Sequence, residues 1–115
     1  MRAKAISLQL KAILALAVLA GGSVKAAEPS AAGVDFFEKR IRPVLVERCY
    51  ECHSAEAKQK GGLVLDTKAG VLKGGDTGPA LVAGEPAKSL LIKAVKWTDK
   101  DLQMPPKKRL SEEQI

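Results

Sequence analysis

From Val34 to Arg48, apolar residues recur at three- and four-residue steps: Val34, Phe37, Ile41 and Val44, with Leu45 alongside. This is the spacing of one face of a helix. Asp35, Glu38, Lys39, Arg42 and Glu47 fill much of the opposite side. Pro43 interrupts the pattern, because it lacks a backbone donor and crowds the preceding turn. A kink or break is therefore expected there, with Val44–Cys52 as a second helical piece and one apolar stripe left to pack on a core. A second helix is expected after Gly84-Glu85-Pro86, with Pro86 in its first turn. Leu90, Leu91, Ala94 and Val95 form its buried stripe, Lys88, Lys93 and Lys96 its wet side, and Trp97 closes it.

The remaining pattern is loop-rich. Leu63-Val64-Leu65 is too brief to predict a sheet, and Asp66 or Thr67 is placed to cap a short helix through Leu72. Gly74-Gly75-Asp76-Thr77-Gly78-Pro79 is a loop whose glycines would let backbone approach a flat ligand, or simply turn the chain. Asp99 to Arg109 is irregular and contains Met104-Pro105-Pro106. Ser111-Glu112-Glu113-Gln114 fits a capping box, which announces a helix just where Ile115 ends the sequence. The expected fold is mostly α, with long loops.

Charge changes the picture only at the start. The formal net charge of the 115 residues is +6, yet residues 1–26 carry four Lys/Arg and no acid. From Ala27 onward fifteen basic residues face thirteen acidic ones, mixed in sign. No clustered basic face of the kind that binds nucleic acid is evident. Arg2, Lys4 and Lys11, the apolar run Ala12–Ala20, the break at Gly21-Gly22-Ser23 and the small-residue site Val24-Lys25-Ala26 read as a signal peptide. The apolar run is well short of the roughly 20 residues that span a bilayer, so no stable membrane span is expected after cleavage. The chain is expected to be exported to the periplasm. Residues 27–33 read as a flexible lead-in, and residues 34–115 as one domain.

Cys49-Tyr50-Glu51-Cys52-His53 carries the chemistry. Cys-x-x-Cys-His is the attachment signature of c-type haem. The spacing puts both thiols and the imidazole within one helical turn. Both sulfurs could then form thioether bonds to one porphyrin edge while His53 reaches the iron. The sequence has no other cysteine or histidine. A Cys49–Cys52 dithiol is the alternative in an oxidising compartment, but no βαβ pattern accompanies it. A structural zinc site would need a fourth ligand. Met104 is the candidate second axial ligand, since it is the only methionine besides Met1 and Pro105 biases it toward extended backbone. The other ring nitrogen of His53 needs a partner, for which a backbone carbonyl near Gly78-Pro79 is the candidate.

With the motif in hand, Phe36-Phe37-Glu38-Lys39-Arg40-Ile41-Arg42-Pro43-Val44-Leu45, Lys60-Gly61-Gly62-Leu63-Val64-Leu65-Asp66, Lys73-Gly74-Gly75, Gly78-Pro79-Ala80 and Met104-Pro105-Pro106-Lys107 together resemble the planctomycete-type cytochrome c domain. The likeness spans about residues 34–115. The resemblance implies a cytochrome-c-like, mostly helical haem domain at the N-terminus of larger exported proteins. It makes Cys49 and Cys52 the linking pair for one haem c, His53 the proximal ligand and Met104 the distal one. It also implies that a further helix, one that packs on the first, would follow Ile115, so that the domain is expected to be C-terminally incomplete.

The function expected from these readings is an electron-transfer module, a carrier rather than a catalyst. Its partner would be a redox protein or downstream domains of a longer chain. A five-coordinate haem that senses a gas or reacts with peroxide is the alternative, and a dithiol redox protein a further one. If the leader is read correctly, N-terminal sequencing of the exported protein will begin at Ala27.

Overall fold

Ser30 sets the start of the first helix. In the computed structural model, which describes residues 28–115, its Oγ accepts a hydrogen bond from Gly33 N at 3.1 Å, satisfying one of the donors a helix start leaves open. Helix α1 therefore spans Ala31–Phe36. It begins inside the stretch expected to be a flexible lead-in, because the cap lies ahead of the first apolar position. The expected signal peptide, at 1–26, lies outside the described residues.

The break expected at Pro43 takes a particular form. Phe37–Ile41 is a π turn in which the Arg42 N–H bonds to Phe37 O, five residues back. Helix α2 then runs Arg42–Arg48 with Pro43 in its first turn. Proline cannot donate, and its ring crowds the carbonyl four residues earlier. A wider turn accommodates both defects without ending the helix.

The extra residue has a second effect. It rotates the upstream segment by about 100° relative to the downstream one. After the turn, Val44, Leu45 and Arg48 are partly buried. Before and within it, Val34, Phe37 and Ile41 are exposed, as is Phe36. The single stripe read from the sequence is thus split, and its upstream half stays largely open to solvent.

Val44–Cys52 is likewise not one helical piece. Cys49 leaves helical geometry, with φ −125° and ψ −40°, and α3 is the short turn Tyr50–His53. The chain returns at once. Leu65 N donates to His53 O at 2.7 Å, and the Asp66 carboxylate accepts from Ala55 N at 3.0 and 3.1 Å. Asp66 thus ties off the end of α3, while Thr67 Oγ1 caps the next helix by accepting from Gly70 N at 3.0 Å. That helix, α4, spans Lys68–Lys73.

A glycine loop with a single bridge between Gly75 and Gly78 comes next. A 3₁₀ turn at Pro86–Lys88 leads into α5, Leu90–Lys96. Trp97 ends α5 in the left-handed region, with φ 58°. Asp99–Arg109 is irregular, as expected from its sequence. Ser111 N donates to Gln114 Oε1 at 3.0 Å, the reach-back half of the capping box. Arg40 anchors this last turn through Glu113 at 2.7 Å.

The described residues are helical, with no strand, and no helix among them is long and apolar enough to cross a membrane. The buried apolar residues are Leu65, Ala80, Ala94, Val95 and Leu110, and Ser89 is buried with them at 2 % exposure. Its hydroxyl accepts from Val82 N at 2.9 Å and lies 3.1 Å from Glu85 O as a donor. It thereby closes the loop that leads into α5. Replacing Ser89 with Ala strands these groups, so Ser89→Ala should cost about 2 kcal/mol, read as a lower urea midpoint at unchanged slope.

Candidate functional site

Cys49, Cys52 and His53 line one side of a cavity of about 360 Å³, within the usual range for small-molecule and cofactor sites. Its floor is Leu65, Ala80, Ala94 and Val95. These are four of the five buried apolar residues among those described. Leu90 and Leu91, on the face of α5 expected to be buried, continue the apolar wall, and Met104-Pro105-Pro106 completes it. All four residues predicted as the site, Cys49, Cys52, His53 and Met104, therefore meet in one cavity. Arg48 and Lys60 bring positive charge to its lining, and no carboxylate of the described residues contributes.

Local folding positions the motif. Cys52 N and His53 N both donate to Cys49 O, at 3.1 and 3.0 Å. One turn therefore holds the two sulfurs and the imidazole on a common side. His53 Nδ1 lies 3.3 Å from Leu63 O. A carbonyl oxygen only accepts, so this contact favours the tautomer with its proton on Nδ1 and leaves the Nε2 lone pair available. The expected partner near Gly78-Pro79 is thus corrected to Leu63. Gly78 O is already engaged by Gly75 N at 3.1 Å, whereas the return of the chain at Leu63–Leu65 brings another carbonyl back to the ring.

The glycine loops do approach something closely, and it is each other. Asp76 N donates to Gly61 O at 2.8 Å. A Cβ on Gly75 would stand 2.5 Å from that same oxygen, so only glycine fits. Gly61, Gly75 and Gly78 all line the cavity.

The cavity suits a haem by its donor chemistry. It offers two thiols for covalent attachment, one imidazole with a nitrogen to spare, one thioether and an otherwise apolar wall. Cys49, Cys52 and His53 are not gathered into a cluster able to hold a metal ion by themselves; among the described residues no group of three His, Cys, Asp or Glu is. Burial pushes the Cys49 thiol up from its ordinary pKa, opposed by the charge of neighbouring Arg48.

Several contributors carry no sequence signal of their own. The Leu63 carbonyl is backbone, and Arg48, whose Nη2 donates to Lys108 O at 2.8 Å, belongs to no motif. Trp97 was legible only as a helix end, yet its Nε1 donates to Met104 O at 3.1 Å.

A family model described as planctomycete cytochrome C matches residues 49–108, more than half of the chain. No curated protein and no solved structure matches it significantly. The match opens at Cys49 and closes just after the Met104 segment, so it takes in every cavity-lining residue except Arg48.

Because burial keeps Cys49 protonated, its alkylation by iodoacetamide in the haem-free chain should rise only above the pH range of a free thiol. Arg48→Ala, which removes the opposing charge, should move that rise higher still. Mass mapping of the alkylated peptide against pH checks both.

Proposed function

Because the chain belongs to the planctomycete cytochrome c family, and is on that ground a c-type haem-binding domain, we propose that it is an electron-transfer module carrying one haem with His53 and Met104 as axial ligands. Bound there, the haem supplies one-electron exchange at its iron. The observation that carries the proposal is the convergence of Cys49, Cys52, His53 and Met104 on one apolar cavity.

Each residue has a distinct part. Cys49 and Cys52 would hold the porphyrin through thioether bonds. His53, oriented by Leu63 O, offers Nε2. Met104 contributes a soft, neutral sulfur, and a Met/His pair raises the potential. Leu65, Ala94 and Val95 keep water from the site. With both axial positions filled, no site remains for a substrate, which separates this reading from that of a gas sensor or peroxide-reactive haem.

Family membership also supports export, to the periplasm in our reading, and placement at the N-terminus of a larger protein. The redox partner would then be a downstream domain or a separate protein.

The absorption spectrum of the ferric protein tests the axial assignment. A Met–iron charge-transfer band is expected, and Met104→Ala should abolish it. If the unaltered protein lacks the band and its reduced form changes spectrum on adding carbon monoxide, the five-coordinate reading replaces this one. Intact-mass measurement after denaturation tests attachment. The haem mass should survive in the parent protein and be lost when Cys49 and Cys52 are both replaced by Ser.

A further inference from the structure

We propose that Trp97 is the positioning residue for Met104, and that Met104–Lys108 is a strap fastened at both ends across the cavity. The inference deepens the reading above and rests on Met104 being an axial ligand.

Both backbone polar groups of Met104 are engaged by the end of α5. Its N–H donates to Ala94 O at 3.1 Å, and its carbonyl accepts from Trp97 Nε1 at 3.1 Å. Ala94 is itself buried, at 5 % exposure, so the anchor is set in the core. Ala94 O also accepts from Trp97 N at 3.2 Å. One carbonyl thus fixes the clamp and the clamped residue together.

The conformation of Trp97 belongs to the same arrangement. It sits at the end of α5 with φ 58°, a position where glycine is the usual occupant. A glycine there would have no side-chain N–H to offer Met104. Keeping an indole in the left-handed region is therefore what gives the strap its second hydrogen bond.

The far end is fastened by Arg48, whose Nη2 donates to Lys108 O at 2.8 Å. Arg40, Arg42 and Arg109 each pair with a glutamate. Arg48 has no ion pair among the described residues. It directly precedes Cys49, so the strap is joined to the attachment motif itself. Between the two fastenings, Pro105 and Pro106 restrict backbone freedom further. Met104 is nevertheless 36 % exposed and is not held by packing alone. A sulfur that binds iron weakly needs such a fixed main chain if it is to outcompete other ligands.

Imidazole titration of the full-length ferric holoprotein tests this, since imidazole must displace the Met104 sulfur to bind. Trp97→Phe, which keeps a ring but no donor, should bind imidazole about fivefold more tightly, the weight of one hydrogen bond. Trp97→Gly, which suits the left-handed backbone but has no indole, should do the same. Met104→Ala should bind more tightly still, and adding Trp97→Phe to it should change nothing.

The outcomes separate cleanly. If Met104→Ala binds imidazole no more tightly than the parent, the axial reading fails. If Met104→Ala is tighter but both Trp97 variants match the parent, the positioning role is overturned and the axial reading stands. A Trp97→Gly affinity equal to the parent's would assign the effect to backbone geometry and overturn the role of the indole. An equal effect of Trp97→Phe with and without Met104 would indicate a general loosening of the cavity, and would overturn it too.

Discussion

The apolar core of this domain is not closed by protein. Of the five buried apolar residues among those described, only Leu110 lies away from the cavity wall. The usual opposition between apolar burial and chain entropy therefore tips further toward the fold when something apolar fills the space between Leu65, Ala80 and α5. A porphyrin held there, as proposed above, would do this as a core residue does. The four aromatic residues of 34–115 are Phe36, Phe37, Tyr50 and Trp97. None of them is among the buried residues. A bound haem would take the place that large side chains hold in an ordinary core.

Much of this was legible because it depends on local chemistry. Cys-x-x-Cys-His, the Thr67 cap, the glycine loop and the Leu90–Val95 stripe are each set by residues close in sequence. The structure keeps all of them. The illegible part depends on hydrogen-bond competition between distant segments. The sequence points to the Gly78 region for the partner of His53, but that carbonyl is taken by Gly75, and Leu63 O lies against the ring instead. The sequence predicts a break at Pro43 but a single apolar stripe across it, because a π turn leaves no mark in a sequence beyond the proline just after it. Ser89, the only buried polar residue among those described, looks in sequence like any loop serine.

The site is assembled by short returns of the chain rather than by one rigid scaffold. Leu65 returns to His53, Asp66 to Ala55, Asp76 to Gly61 and Met104 to Ala94. Except for Asp66 to Ala55, each return ends on a residue that lines the cavity. A fold of long loops can in this way hold two thiols, an imidazole and a thioether around one cavity without a sheet.

The contact between Gly61 and the Gly75–Asp76 segment has a consequence for how such a site can vary. On this side, the wall of the cavity is a main-chain dimension, held by Asp76 N to Gly61 O and by the absence of a Cβ at Gly75. Changes at neighbouring side chains such as Lys60, Leu63 or Thr77 can alter polarity and charge at the rim without widening it. Solvent access and electrostatic tuning are thereby separable, and the charge around a bound cofactor can drift through mutation while the opening through which water reaches it stays constant.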